Sequence, residues 1–281
     1  MRRVDPWTSV RLMIVSLAVG ALACGLPSFG GSQVDGGTGS EAGPQVSPTE
    51  ASPTAVSVDT PVPSSASGDC ANMYFPVIQG ATWTYEVTGG SSDTAQYTDT
   101  ISELTGDGFI LTSEFDEVTR TQRWSCKSDG LVALDFGGAS ATLAVADLQA
   151  VFDTTEVSGI TLPRDLAAGD TWSQSFKLEG NQTLPGDQTA EVKGSVDYGS
   201  TAVEIESVTV PAGTFEALRV ESTTKMDITI KLSGFAVPTT IEGTVVRWYA
   251  PDIGYVRSVE TSNVLGAEVE VTIELTGYQI P

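Results

Sequence analysis

Three cysteines, no histidine and a surplus of carboxylates set the chemistry open to this 281-residue chain. Without histidine there is no Ser-His-Asp or Cys-His nucleophile system, and most zinc sites lose their usual ligand. Carboxylates are the remaining route to catalysis. Asp116, Glu117, Asp135, Asp165, Asp170, Glu204 and Glu206 supply the residue types for an acid pair of the kind that hydrolyses glycosides. With 36 acidic residues in the chain, however, some pair always looks suggestive. Most of these acids fall on the solvent side of alternating segments, where charge keeps sheet edges soluble. Gly106-Asp107-Gly108 and Ser128-Asp129-Gly130 read as turns, and no Asp-x-Asp-x-Asp-Gly calcium loop occurs. The sequence supports no catalytic set, no metal site and no cofactor.

The charge balance narrows the partners. Fourteen basic against 36 acidic residues give a net charge of −22. A nucleic-acid binder needs a clustered positive surface, so that class is excluded. The same surplus repels anionic lipid headgroups, which suits a body held off a bilayer rather than lying on it.

The first 23 residues read as an export signal. Arg2, Arg3 and Arg11 precede an apolar stretch over residues 12–23. Twelve residues suit the core of a signal peptide and fall short of the roughly 20 that span a bilayer. The stretch ends in Ala21-Leu22-Ala23-Cys24-Gly25, which resembles the lipobox of bacterial lipoproteins. The resemblance implies cleavage before Cys24 and a lipid on its sulfur, with Ala21 in the place most often held by Leu. Several acyl chains would hold the protein stably at a membrane, at about 0.8 kcal/mol per buried methylene.

Residues 25–69, which follow the lipidated Cys24 in a linker over 24–69, are built from Gly, Ser, Thr, Pro, Ala and Val, with no Lys or Arg. Such a stretch buries too little apolar surface to offset the entropy of ordering, so a disordered linker is expected. As a flexible coil it spans roughly 35–40 Å, and about 140 Å fully extended.

From residue 70 to 281 the dominant period is two. Glu268-Val269-Glu270-Val271-Thr272-Ile273-Glu274-Leu275 alternates without a fault, as a half-buried antiparallel strand does. Strands are expected over 82–87, 96–104, 109–115, 120–127, 131–136, 171–178, 191–198, 203–210, 215–223, 226–232, 241–249 and 255–262. The Ala- and Leu-rich segment 139–152 allows helix or strand, and strand is preferred. Two halves, 74–136 and 162–262, share a plan. Gly80-Ala81-Thr82-Trp83 opens one and Gly169-Asp170-Thr171-Trp172 the other, while Arg123-Trp124 and Arg247-Trp248 each precede a glycine six residues beyond the Trp. Trp83, Trp124, Trp172 and Trp248 are therefore expected as core aromatics that fix strand register, in preference to a ligand-stacking platform. The fold class is all-β: antiparallel sheets from two related halves, sharing one apolar core as a sandwich or half-open barrel.

Val208-Thr209-Val210-Pro211-Ala212-Gly213-Thr214-Phe215 and Trp248-Tyr249-Ala250-Pro251-Asp252-Ile253-Gly254-Tyr255-Val256, with the Gly-x-Thr-Trp openings, resemble a group of uncharacterised bacterial lipoproteins and secreted β-rich proteins. A looser similarity is to half-open β-barrel lipoproteins that carry lipids or other lipoproteins, a fold-level analogy. With Cys24 assigned to lipid, Cys70 and Cys126 remain, and in an exported chain they favour a disulfide. A reactive thiol is the alternative, without a histidine to activate it.

The expected function is that of a membrane-tethered extracytoplasmic lipoprotein, anchored in a bacterial cell envelope. Its β-domain acts as a non-catalytic binding or envelope-interaction module, for a lipid or other apolar ligand or an envelope component. A carboxylate-dependent extracellular hydrolase is the alternative. A transporter's solute-binding lipoprotein fits poorly, because such proteins alternate helices with parallel strands.

Overall fold

The computed structural model describes residues 68–90, 94–116, 118–137, 150–184, 188–232, 234–264 and 267–281. Cys24, the linker up to residue 67 and most of the ambiguous segment 139–152 lie outside them, while Gly68 and Asp69 at the linker's end form a 3₁₀ turn with Cys70. Among the described residues, period-two alternation builds thirteen strands: β1 (Thr82–Gly89), β2 (Ala95–Leu104), β3 (Gly108–Phe115), β4 (Thr119–Lys127), β5 (Gly130–Ala133), β6 (Ala150–Gly159), β7 (Leu162–Pro163), β8 (Thr171–Leu184), β9 (Gln188–Val210), β10 (Gly213–Leu232), β11 (Phe235–Ala250), β12 (Gly254–Val264) and β13 (Ala267–Gln279). All pair antiparallel in a single sheet, in the order β6-β8-β9-β10-β11-β12-β13-β1-β2-β3-β4-β5-β7. The sheet curls into a half-barrel. Of the two architectures expected, the half-open barrel is therefore the one formed, with β13 joining two meanders into one continuous surface.

Pairing overrides local turn signals in two places. The expected strands 191–198 and 203–210 are one 23-residue strand, β9, and 215–223 and 226–232 are one 20-residue strand, β10. Neighbours carry each strand through its apparent break. Gly199 bridges Ser173 on one side and Thr223 on the other. Strand β6 starts at Ala150, so the described end of the ambiguous segment is strand.

One rim of the curl is strapped shut. β6 and β7 stand at opposite edges of the sheet yet only Ile160 and Thr161 separate them in the chain. The Ile160 amide donates to Ser173 O of β8 at 3.0 Å, and the Thr161 amide to Leu131 O of β5 at 3.0 Å. The Ala133 amide donates to the Thr161 hydroxyl at 2.7 Å, and Phe136 N to the Thr154 hydroxyl at 2.8 Å. Gly159 makes the approach possible: its φ is +80°, and a Cβ there would sit 2.1 Å from Ser173 O.

A plug fills the interior near this rim. The chain from the 3₁₀ turn Gly68–Cys70 to Gly80 enters the curl, tied to β4 by the Cys70–Cys126 disulfide with Cα atoms 4.8 Å apart. Phe75 is its centre, stacked on Trp83, Phe109 and Trp124 at centroid distances of 5.6, 5.7 and 5.6 Å. Tyr74, Val77, Leu131, Leu162 and Leu166 complete the packing. The Asn72 amide donates to Pro163 O at 2.9 Å, locking plug to strap.

Trp83 belongs to the main apolar core and Trp124, Trp172 and Trp248 pack against it, but the four do not share one environment. Trp83 is buried at 2% exposure, with its Nε1 donating to Ile253 O at 2.6 Å. Trp124 and Trp172 are half-buried and face inward. Trp248 points to the outer face, beneath the Arg257 guanidinium at 5.3 Å, with its Nε1 donating to the Glu206 carboxylate. Hairpin length is the reason. The β4–β5 hairpin closes at Lys127↔Gly130 with a two-residue loop, the β11–β12 hairpin at Ala250↔Gly254 with three. The same spacing from Trp to Gly then gives opposite parity, so Trp124 turns inward while in the second half Arg247 does.

Candidate functional site

Above the plug the inward face of the curl turns from apolar to polar. On strand after strand the residues that alternation points inward change in kind at this level: Tyr97-x-Asp99 on β2, Ser113 on β3, Arg120-x-Gln122 on β4, Gln174 on β8, Tyr198-x-Ser200 on β9, Arg247-x-Tyr249 on β11 and Ser258-x-Glu260 on β12. Together with the plug's Phe75 and apolar side chains such as Trp83, Leu111, Trp124, Trp172 and Phe176 they line a cavity of about 150 Å³. Register assembles the charged groups. Asp99 pairs with Ser113 across β2–β3, and Ser113 with Arg120 across β3–β4, so the three stand in one row. Arg247 and Ser258 face each other on β11 and β12.

The floor of the cavity is aromatic. Tyr85 stacks on Tyr255 with centroids 4.5 Å apart and planes 5° from parallel, and on Tyr97 at 5.0 Å. The Tyr85 hydroxyl donates to Tyr255 O at 3.0 Å, and the Tyr97 and Tyr255 hydroxyls bond to each other. Burial raises the pKa of all three phenols, so they stay neutral donors at physiological pH.

Asp99 is 7% exposed and accepts from the Ser113 hydroxyl at 2.5 Å. Burial pushes its carboxyl up to about 6, against the pull of the Ser113 hydrogen bond and the Arg120 charge. Burial lowers the Arg120 pKa, opposed by Asp99 and Asp135. Around Arg247 burial acts in the same sense but is outweighed by Tyr249, Glu260 and Tyr255, and its Nη2 donates to Glu260 at 3.2 Å. Tyr198 is raised to about 12, chiefly by burial, while both Arg247 and Arg120 pull it down. One phenol therefore feels both guanidinium groups.

Asp99 gives the fold a pH dependence. In the unfolded chain its carboxyl titrates near 3.8, in the folded protein near 6. Between those values the native state keeps a proton that the unfolded chain has lost, so stability falls as pH rises through this window and levels off above it. The loss is about 3 kcal/mol. Asp99→Asn keeps an acceptor for Ser113 and cannot ionise. Its stability relative to wild type should therefore grow by about that amount between about pH 4 and 8. Urea unfolding across that range checks it; a constant difference between the two proteins would refute the assignment.

The acids singled out from sequence sit elsewhere. Asp116 and Asp165 are exposed, and Glu117 lies outside the described residues. Asp135 holds Arg123 through two bonds of 2.6 and 3.0 Å, and Asp170 accepts from the Ala167 amide at 2.8 Å. Glu204 and Glu206 pair with Arg219 on the outer face. None of them lines the cavity. The carboxylates that do, Asp99 and Glu260, carry a signal that parity could have found: Tyr97-x-Asp99-x-Ile101 places the acid on the same face as two buried residues. Among the described residues no cluster of three or more His, Cys, Asp or Glu could hold a metal ion. Likewise, no helix is long and apolar enough to cross a membrane.

The DUF3108-like family profile matches residues 108–269, from β3 to β13. No curated protein matches the sequence. Two solved structures are similar. One is a candidate exported protein with YmcC-like fold from Bacteroides fragilis, at 17% identity and a TM-score of 0.48, covering 74% of this chain and 100% of that one. The other is a candidate lipoprotein from Parabacteroides distasonis, at 16% identity and a TM-score of 0.49, covering 75% of this chain and 100% of that one.

Proposed function

This chain belongs to the DUF3108-like family, and from that premise we propose that its curled sheet is a non-catalytic binding module, carried outside the cytoplasm on a lipid anchor at Cys24. The observation that carries the reading is the interior itself: a cavity of about 150 Å³ between plug and strap, walled largely by aromatic and aliphatic side chains, on which Asp99, Arg120, Arg247, Glu260 and several hydroxyls converge. A β-barrel mouth is a recurrent place for a ligand, and convergent polar groups are what fix its orientation. The lining is amphipathic, which suits a ligand that sets a polar group among Asp99, Arg120 and Glu260 and its remaining surface against the aromatic rings. The lipid or other apolar ligand expected from the sheet-on-sheet picture would leave Asp99, Arg120 and Glu260 desolvated against hydrocarbon.

The anchor rests on the resemblance of Ala21-Leu22-Ala23-Cys24 to a lipobox, and the acidic surplus with a linker at 25–69 suits a body held away from the bilayer. Cys24→Ala is expected to move the protein from the membrane to the soluble fraction while it stays folded, and to abolish the added lipid mass. Membrane retention of that variant would overturn the anchor. For the binding reading, mass spectrometry of the denatured, natively purified protein is expected to recover a small compound with a polar group. Failure to recover any compound across independent preparations would count against it.

A hydrolase reading draws on one observation, the pair Asp99 and Glu260 in a single cavity, the first with its pKa near 6. Glu260 is already committed to Arg247 and to the Ser258 hydroxyl at 3.3 Å, which leaves the binding reading the stronger.

A further inference from the structure

We propose that the interior cavity takes up a compact oxyanion, a carboxylate or phosphate group, held by Arg120 with Tyr198 and Arg247 in the same lining. The inference rests on the binding reading above and names the class of ligand. It starts from one unmatched donor. Arg120 lines the cavity, and its Nη2 is buried without an acceptor among the described residues. Its neighbours are satisfied: the Gln122 amide donates to Asp135 O at 2.6 Å and accepts from Trp124 Nε1 at 3.1 Å, and the Gln174 amide donates to Ala133 O at 3.2 Å. A buried charged donor left unmade costs more than a neutral one. The group that repays it most fully is an anion, because charge-assisted bonds from guanidinium to carboxylate or phosphate are the strong ones.

The surroundings hold that donor in place. A Cβ on Gly137 would lie 2.9 Å from Arg120 Nη2 and 3.0 Å from its Cζ, so the guanidinium packs flat against bare backbone there. Of the two carboxylates that act on Arg120, Asp135 is held by Arg123, and the other is Asp99. It stands two strands away across Ser113 and spends Oδ1 on that hydroxyl. Arg247 also lines the cavity, with its Nη2 donating to Glu260 at 3.2 Å, and Tyr198 lines it beside them. The lining carries two guanidinium groups, Arg120 and Arg247, and two carboxylates, Asp99 and Glu260, of which Glu260 is taken by Arg247. The size also fits: an apolar cavity of about 150 Å³ in another protein accepts benzene, so six or so heavy atoms can be enclosed.

The test uses the full-length, detergent-solubilised lipoprotein. Equilibrium dialysis is run with labelled inorganic phosphate and, in a separate arm, labelled acetate. Saturable binding of one anion per chain is expected, at concentrations up to about 10 mM. The arm that binds tighter identifies the source. Arg120→Gln is expected to weaken binding at least about tenfold. Arg123→Gln, which alters the neighbouring guanidinium on the outer face, should leave it unchanged. Because a cavity variant can unfold, thermal melts accompany each protein, and Arg120→Lys is included to restore part of the affinity with the charge. No saturation by either anion overturns the proposal, and so does equal binding by folded Arg120→Gln. If such a failure comes with a neutral polar compound recovered from the native protein, the binding reading survives. If nothing is recovered, both fall.

Discussion

Removing the Cys70–Cys126 bridge, by reduction or by serine at either position, is expected to lower the unfolding free energy by about 4 kcal/mol. The two cysteines are 56 residues apart, and the enclosed loop contains β1 to most of β4. Closing a loop of that length restricts the unfolded chain far more than the folded one. The bridge also anchors the plug at its start. What remains to hold that end is Arg164, whose guanidinium donates to Gly68 O at 3.0 Å and Asp69 O at 2.8 Å, together with the Asn72 bond to the strap. For a domain of this size the loss corresponds to a melting temperature lower by about 8–16 °C. Serine substitution adds the cost of hydroxyls at two sites only 5% exposed, so reduction of the wild type gives the cleaner number. Denaturant unfolding with and without reductant reads it directly. A midpoint that reductant does not move would refute the role assigned to the bridge.

Much of this architecture was legible in the chain because it depends on local alternation. The segments around Trp83, Tyr97, Leu111 and Ile273 show their buried face in sequence and bury it in the fold. What could not be read locally is what depends on pairing. The long strands β9 and β10 run through glycine and polar residues because neighbours on both sides hold them. The outward turn of Trp248 follows from one extra residue in a hairpin loop, which shifts parity without changing the spacing of the motif. The cavity shows the same division. Parity alone places Asp99 and Arg120 on the inner face, but only the register of β2, β3 and β4 sets them in one row with Ser113. Nor does any local pattern show that the edges β6 and β7 meet through Ile160 and Thr161, which is what turns an open sheet into an enclosure.

Phe75→Ala is expected to cost about 3–5 kcal/mol, the range for truncating a large aromatic in a packed core. Phe75 is 9% exposed and contacts three rings from three strands: Trp83 on β1, Phe109 on β3 and Trp124 on β4. With three separate strands around it, the space left behind cannot close by moving one neighbour. Phe75 also lines the base of the cavity, and its loss opens the plug to water from that side. Tryptophan emission should therefore shift to the red under native conditions, before any unfolding. Because Phe75 and the disulfide hold the same plug, their effects should not add. The Phe75→Ala, Cys70→Ser double variant is expected to lose less than the sum of the single losses, as coupled sites do. Denaturant titrations of the four proteins in this cycle measure it. A cost below about 1 kcal/mol for Phe75→Ala would mean that the plug is not part of the cooperative core, and strict additivity would mean that ring and bridge act on separate parts of the fold.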